Sequence, residues 1–317
     1  MMPTSRIVAL IALTTLFSCG NDRGQKAGSA KATVTPTANV QSIQLLDTEY
    51  WYSGKAELIH YDLRQNRYNG VHYGELIRIF VTEDFLTDEQ VKNDTYTNSN
   101  SVSVLKMNEN RRFTTGLYDY SIMTSVFTRA DGSATEKITL SSQDWCGQSF
   151  VQINKNGNKH DVQVRSYFEK EGDKDFSLKA DLLEDEVMNL LRISPELIPE
   201  GKVTVLPALT YLRFSHTPHE AIEASVEKSN YSGDLVSGGK LMQLEMTYPE
   251  SGRTVTWIYD VNDMNKIIAR LESRSSALDD TLRATSEVKV HELHVPYWKM
   301  NSASDTTLRL EFGLETY

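Results

Sequence analysis

Residues 147–168 read GQSFVQINKNGNKHDVQVRSYF, and this stretch decides the fold class. Val151 and Ile153 alternate with polar residues before the turn NGN at 156–158, and Val162 and Val164 alternate with polar residues after it. A period of two is typical of strands with one buried face. Asn and Gly tolerate the positive φ angles that tight hairpin turns require. The stretch therefore predicts an antiparallel β-hairpin.

The same pattern recurs along much of the chain. Asn69-Gly70 lies between apolar-rich runs at 53–63 and 75–83, and Asp131-Gly132 lies between runs at 119–129 and 134–142. The pattern predicts further strands, which we place at 202–214, 240–261, 287–298 and 305–314. We therefore expect a mainly β (α+β) fold, namely a large antiparallel curved sheet or open barrel with one or two packed helices.

Two segments show helical rather than strand patterns. Ser177 can cap residues 178–192, LKADLLEDEVMNLLR, in which the leucines form one apolar stripe and acids fill the other face. Pro195 would end this helix. Residues 262–276, NDMNKIIARLESRSS, are a candidate for a second helix.

The N-terminus has the pattern of an exported protein. Arg6 precedes an apolar run at 7–17, which is shorter than the roughly 20 residues needed to span a bilayer. Leu16, Ser18 and Cys19 then resemble the lipobox of bacterial lipoproteins, which implies that Cys19 becomes the acylated mature N-terminus. The alternative is an ordinary secretory peptide in which Cys19 has no role.

This resemblance divides the chain into three parts. Residues 1–18 are the lipoprotein signal peptide, 19–42 are a small, polar, flexible tether, and 43–317 are the β-rich domain. The resemblance places the protein in the bacterial cell envelope, anchored in a membrane by its lipid. Gly20 stands where an inner-membrane retention signal would have Asp, which favours the outer membrane, on its periplasmic or surface face.

Composition narrows the class of partner. The chain has 317 residues, with 39% hydrophobic and 24% charged residues, which is typical of a globular protein. Its net charge of -10 disfavours binding to the phosphates of nucleic acid, and it disfavours electrostatic docking on anionic headgroups. The sequence indicates no cofactor.

Several phrases resemble one family. Residues 49–85, 114–127, 143–150 (QDWCGQSF) and 166–173 (SYFEKEGD) are similar to an uncharacterised group of Bacteroidetes lipoproteins, often labelled automatically as "septum formation inhibitor Maf". True Maf proteins are cytoplasmic pyrophosphatases with a Ser- and Arg-containing loop near the start, and nothing in this chain resembles that loop. The resemblance therefore implies no activity.

Cys146 is the first candidate for chemistry. A cysteine nucleophile needs a base within hydrogen-bond reach, and His160 lies on the next predicted strand. However, Trp145 precedes the cysteine and Gln148 follows it, unlike the order in papain-like enzymes. An exposed, unpaired thiol in an oxidising envelope would be prone to oxidation. We therefore expect Cys146 to be buried and inert, and we assign no catalytic residue.

Two groups of histidines and one acidic stretch contain residue types that bind metal ions. His216, His219 and Glu220 lie in HTPHE, but a zinc pair on a helix has a spacing of four, and here the spacing is three and Pro218 prevents a helix. His291 and His294 fall on opposite faces of a strand. Residues 173–184 match part of a calcium-loop template but lack its central Gly. We predict no metal site.

Aromatic residues offer the remaining candidate. Trp51, Tyr52 and Tyr61 belong to a group rich in Tyr that either packs in the core or contacts a sugar or lipid. We name these three residues as candidate ligand contacts. The sequence thus favours a non-enzymatic, lipid-anchored binding or scaffold domain for an apolar or glycolipid ligand or an envelope partner. The alternative is an envelope hydrolase that acts on a surface polymer.

Overall fold

The structure is a computed structural model that describes residues 45–68, 70–274 and 284–315. Sixteen strands in these residues form one large, curved, unclosed sheet, and the expected fold class is confirmed. The predicted signal peptide, the lipidation site Cys19 and the tether at 19–42 lie outside the described residues.

The elements follow the hairpin order of the sequence. The strands are β1 (Ala56–Arg67), β2 (Gly70–Leu86), β3 (Val91–Lys92), β4 (Ser101–Thr115), β5 (Tyr118–Arg129), β6 (Thr135–Asp144), β7 (Gly147–Asn156), β8 (Lys159–Ser166), β9 (Lys174–Leu178), β10 (Leu182–Leu183), β11 (Gly201–Leu206), β12 (Ile222–Asn230), β13 (Leu241–Tyr248), β14 (Arg253–Asp260), β15 (Lys266–Arg274) and β16 (Thr285–Val295). The helices are α1 (Thr48–Trp51), α2 (Val187–Ile193), α3 (Leu209–Ser215) and α4 (Thr306–Glu311).

The sheet order is β10-β11-β12-β13-β14-β15-β16-β1-β2-β4-β5-β6-β7-β8-β9, with β3 added beside β2. Neighbouring strands are antiparallel except for the short parallel pair β10–β11. The predicted hairpins at 131–132 and 156–158 are confirmed as β5–β6 and β7–β8. The two edge strands, β9 and β10, are separated in the chain only by residues 179–181. The sheet therefore curves so far that its two edges approach each other.

Helix α2 fills the concave face of the sheet. Val187, Leu190 and Leu191 are buried there in the main core, among inward-facing residues of the strands. Asn189 on the same helix donates from Nδ2 to the backbone oxygen of Leu105 at 2.9 Å, so that it fixes the helix against β4. In the described part of the chain, no helix is both long and apolar enough to cross a membrane.

Two ends of the sheet must be distinguished. The α1 end contains Leu45, α1 and the start of β1, and the backbone oxygen of Trp51 accepts from Thr82 there at 2.6 Å. The α3 end contains the β1–β2 turn and α3, and Arg67 donates to the backbone oxygen of Phe214 there at 2.6 Å. The strands thus separate α1 from α3.

The C-terminal segment covers part of the outer face at the α1 end. Phe312 and Leu314 pack with Leu58 and Val81 in a second, smaller core. Gly313 between them has φ +73° and lies against the rings of two histidines, His60 and His291. The segment therefore covers apolar strand residues that would otherwise face water.

The predicted helix at 178–192 is wrong in its first half. Residues up to Leu178 extend β9, where Ser177 pairs with Asp161 of β8, and Leu182 and Leu183 form β10. The helix α2 begins only at Val187. The leucine spacing also fits short strands, and hydrogen bonds to neighbouring strands decide between the two structures.

Three other segments also differ from their predictions. Residues 266–274 form β15, because β14 and β16 provide strand partners on both sides. The predicted strand at 202–214 ends at Leu206, and α3 follows it. The predicted strand at 305–314 is mainly α4, which follows a 3-10 turn at Ala303–Asp305 whose start is capped by a 2.7 Å hydrogen bond from Ser302 to Asp305.

Candidate functional site

The concave face carries a chain of buried ion pairs. Arg78 on β2 donates from Nε and Nη2 to Glu109 on β4 at 2.9 and 2.8 Å, and it also pairs with Glu287 on β16. Arg111 on β4 donates to Glu287 at 2.5 Å and to Glu109 at 3.1 Å. Each of these two carboxylates is therefore bound by at least two guanidinium groups.

The chain of ion pairs continues across β14 and β15. Arg253 donates to both oxygens of Glu184 at 2.6 Å, and Tyr248 donates to Glu184 at 2.7 Å. Arg270 joins the two halves, because it donates to Glu184 and to Glu287, each at 3.2 Å. Glu184 lies just before α2, so these pairs also fix the position of that helix.

The arginines keep the buried acids ionised. Burial alone would raise the pKa of Glu287, but Arg78, Arg111 and Arg270 hold it well below its ordinary value. Burial likewise opposes the ionisation of Glu184, and Arg253 and Arg270 lower its pKa. In such a buried pair each charge compensates the other, and removal of one member would leave an uncompensated charge. They form a structural framework and not a set of free binding groups.

A polar cavity of about 140 Å³ lies beside this framework at the α3 end. Its lining comes from β1, β4, β5, β14–β16, the turn before α2, and α3. Tyr68 lines the cavity and is 56% exposed, so the cavity reaches the surface beside this ring. Small-molecule sites are typically concave and have a few convergent polar groups, which makes this cavity the candidate site.

Arg67 differs from the other cavity arginines, Arg111 and Arg270, in its surroundings. Its guanidinium lies over the rings of Tyr68 and Phe214, at 4.4 and 4.8 Å from their centroids. Its Nη1 donates to a backbone oxygen, and its Nε has no partner among the described residues. Within residues 45–68, 70–274 and 284–315 it makes no ion pair. Its charge is therefore in contact with aromatic rings, including that of Tyr120 at 5.7 Å, and has no anionic counter-ion in these residues.

Tyr68 occupies a strained position at the mouth. Its φ is +55°, in a region where bulky residues are rare, and its hydroxyl bonds to those of Tyr118 and Tyr120 at 2.6 and 2.7 Å. Burial would raise the pKa of Tyr68, but the hydrogen bonds from the other two tyrosines and the nearby Arg67 lower it. Backbone strain of this kind costs of order 1–3 kcal/mol and is found at functional sites.

Besides Arg67, the cavity residues Asp185 and Trp257 have polar atoms that can form further hydrogen bonds. Asp185 is half-buried and accepts from the backbone N–H of Leu209 at 2.9 Å. Burial raises the pKa of Asp185 to about 7, and Glu184 adds to the effect. Trp257 is buried, and its Nε1 has no hydrogen-bond partner in the described part of the chain.

The residues predicted as ligand contacts lie elsewhere. Trp51 is buried at the α1 end, where its ring lies 5.0 Å from the guanidinium of Arg192. Tyr52 is exposed and bonds to Ser103 at 3.0 Å. Tyr61 is fully buried and donates to the backbone oxygen of Ile267 at 2.9 Å. None of the three predicted residues lines the cavity, and their role in binding stays a prediction.

The other sequence candidates lie apart from the cavity. Cys146 is exposed, so its predicted burial is wrong, because it lies in the β6–β7 turn and not within a strand. His216, His219 and Glu220 line a second surface cleft, where His216 bonds to Glu171 at 2.5 Å. Among the described residues, no group of three or more His, Cys, Asp or Glu is placed to hold a metal ion.

The architecture is that of a mainly β domain with a polar cavity inside a curved sheet. No protein-family model matches the chain, and a search of curated proteins also finds no match. Among solved structures, the chain is similar to a beta-barrel-like protein of domain of unknown function DUF1849 from Brucella abortus. That similarity covers 76% of this chain and 98% of that one, at 12% sequence identity and a TM-score of 0.46. The function must therefore be argued from the site itself.

Proposed function

We propose that this chain is a lipid-anchored protein of the bacterial cell envelope whose β domain binds a small polar molecule and catalyses no reaction. The observation that carries the binding role is the polar cavity, with Arg67, Asp185 and Trp257 as groups that retain hydrogen-bonding capacity. The lipobox-like sequence ending at Cys19 supports the anchor.

The lining favours a polar ligand over the apolar or glycolipid ligand that the sequence suggested. Apolar side chains of α2 occupy the concave face where a lipid chain would lie. The cavity beside them has glutamates and arginines in its walls. Burial of these groups against an alkyl chain would cost free energy, because their remaining polar atoms would lose water.

Native mass spectrometry tests the binding role. The full chain, purified gently from envelope fractions, is expected to retain a small adduct. Ala208 lines the cavity, so Ala208→Phe should fill it and abolish the adduct. Ala303 is exposed outside the cavity, so Ala303→Phe is the matched control and should retain it. Circular dichroism would verify that both variants fold. A wild-type protein without an adduct, or an adduct unaffected by Ala208→Phe, would contradict the proposal.

The anchor requires a separate experiment. Labelled palmitate should be incorporated into the wild-type chain and not into Cys19→Ala, and the variant should leave the membrane fraction. Two or more acyl chains anchor a protein stably, since each buried CH₂ contributes about 0.8 kcal/mol. Unchanged fractionation of the variant, together with no incorporation of label, would remove the anchor from the proposal without affecting the binding role.

One observation favours a hydrolase as the second candidate. Asp185, with a pKa of about 7, could donate a proton near neutral pH, and ionised glutamates lie in the same cavity. Glycoside hydrolysis needs such an acid together with a free carboxylate. Glu109 and Glu184, however, are each bound by two arginines. Release of soluble fragments from purified envelope polymer by the wild-type protein, and not by Asp185→Asn, would establish this candidate.

A further inference from the structure

The charges of the cavity wall are matched except at one place. Glu109, Glu184 and Glu272 each accept hydrogen bonds from arginines, and Arg111 and Arg270 each donate to glutamates. Arg67 alone among the cavity arginines has no carboxylate partner in the described ranges, as noted above. An incoming anion would therefore meet one uncompensated positive charge.

The unused hydrogen-bonding groups are mainly donors. Nε of Arg67 and Nε1 of Trp257 have no hydrogen-bond partner within the described residues. The cavity glutamates, in contrast, already accept two or more hydrogen bonds each. A ligand that supplies acceptors would satisfy these donors, and a buried donor left unpaired costs free energy. The wall is thus complementary to oxygen acceptors.

Asp185 adds a donor under mildly acidic and neutral conditions. Glu184 precedes it in the chain, Glu109 faces it from β4 and Arg270 faces it from β15. The two acids and burial disfavour its charged form and outweigh Arg270, and the Leu209 N–H bond lowers its pKa only in part. A protonated carboxyl group can donate one hydrogen bond, whereas an ionised one would repel an anion.

The volume limits the size of the enclosed group. About 140 Å³ is on the order of ten times the volume that one water molecule needs in a cavity. Met107, Met188 and Phe214 also line the cavity and can contact the carbon atoms of a ligand. A short carboxylate fits entirely, and a longer molecule fits only if its remainder passes Tyr68 to the surface.

We propose that the cavity binds a carboxylate group, with Arg67 as its counter-ion and Trp257 and Asp185 as hydrogen-bond donors. The inference rests on the proposed binding function and names its ligand class. The carboxylate belongs either to a small free acid or to the end of a longer molecule, such as a uronic acid.

Isothermal titration calorimetry at constant ionic strength tests the charge requirement. Lactate and its neutral analogue propane-1,2-diol represent the small free acid, and glucuronate and glucose represent the longer molecule. We expect binding of at least one acid, with affinity at least tenfold above that of its neutral partner. Binding of lactate would indicate that the natural ligand is a small free acid. Binding of glucuronate alone would indicate a longer molecule whose remainder extends past Tyr68. Equal affinity for acid and neutral partner, or no binding of either acid, would overturn the inference. An adduct in native mass spectrometry would still support the binding function.

Two arginines of the same strand provide the matched variants. Arg67→Gln should weaken acid binding at least tenfold, because a charge-assisted hydrogen bond is lost. Arg64 is exposed and bonds to Tyr73 at 3.3 Å, so Arg64→Gln should leave the affinity unchanged. Equal affinities of the two variants would contradict the role of Arg67. If Arg67→Gln fails to fold, the pH dependence of acid binding by the wild-type protein still tests the proposed site.

The pH dependence tests Asp185 in the wild-type fold. Both acids stay ionised above pH 5, so the ligand contributes no titration. The affinity of the wild-type protein should fall by up to tenfold per pH unit above about 7, as Asp185 loses its proton. Asp185→Asn keeps a donor and should bind with an affinity that does not change with pH. An affinity for the acid that stays constant or rises between pH 6 and pH 8 would refute Asp185 as a donor to the carboxylate.

Discussion

Replacement of Asp185 by asparagine should remove one pH-dependent contribution to the free energy of unfolding. The native carboxyl has a pKa of about 7, whereas an unfolded Asp titrates near its ordinary value of 3.8. Between these values the native state holds a proton that the unfolded state has released. The free energy of unfolding of the wild-type protein therefore includes a contribution from Asp185 that is complete at low pH and is lost as the pH rises to about 7.

The size of the effect follows from the two pKa values. Within this window each pH unit removes about 1.4 kcal/mol from the free energy of unfolding. Between pH 5 and pH 8 the loss is about 2.5 kcal/mol, and water that enters the cavity beside the half-buried carboxyl reduces it towards 1 kcal/mol. Asparagine does not titrate, so Asp185→Asn should gain about 1–2.5 kcal/mol relative to wild type over the same pH interval.

Urea unfolding monitored by tryptophan fluorescence at pH 5, 6, 7 and 8 measures the difference. Asp181 provides the control, because it is exposed and hydrogen bonds from Thr204 lower its pKa. Asp181→Asn should change stability by nearly the same amount at each of these pH values. A difference between Asp185→Asn and wild type that stays constant from pH 5 to pH 8 would refute the assigned environment of Asp185.

Three further predictions concern other parts of the fold. An added Cβ at Gly313 would lie 2.3 Å from a histidine ring atom, whereas at Gly54, which has the same φ of +73°, nothing lies within 4 Å. Gly313→Ala should therefore lower the melting temperature more than Gly54→Ala and accelerate proteolysis of the C-terminal segment, and equal effects would contradict the packing. Arg192 and Glu57 form a fully buried pair at 2.6 Å. Glu57→Gln should cost about 3–5 kcal/mol in urea unfolding, and a cost below 1 kcal/mol would be inconsistent with this burial. Iodoacetamide should label Cys146 in the folded protein about as fast as in urea, and strong protection of the thiol would disprove its exposure.

The sequence predicted most of the sheet because hairpins are local. The turns at 131–132 and 156–158 contain glycines with positive φ, and apolar residues alternate with polar ones beside the turn at 156–158. Strand pairing at both turns therefore follows from neighbours in the chain, although the β5–β6 register shifts between Phe127 and Thr128. The segments at 178–192 and 266–274 were mispredicted although their strand partners are near in the sequence, because the spacing of their apolar residues also fits a helix. The turn at 261–265 contains no Gly that would mark the β14–β15 hairpin. Helical periodicity does not reveal whether such a strand partner is present.

The cavity could not be predicted because the residues that line it are distant from one another in the sequence. Arg67, Asp185 and Trp257 are separated by more than 70 residues from one another, and only the curvature of the sheet brings them to one cavity. One local signal was present, namely Tyr68 immediately before Asn69-Gly70, where the turn requires a positive φ that Tyr rarely adopts. The prediction for Trp51, Tyr52 and Tyr61 relied on aromatic composition, which does not distinguish core packing from ligand contact.

The separation of α1 and the cavity has a consequence for access. The 12 residues of β1 run roughly 40 Å from their start after α1 to the β1–β2 turn, beside which the cavity opens at Tyr68. Among the described residues, those that line the cavity include none from α1 or from the C-terminal segment, so a contact made at the α1 end would leave the opening uncovered. A water-soluble molecule would then enter beside Tyr68 directly from solution.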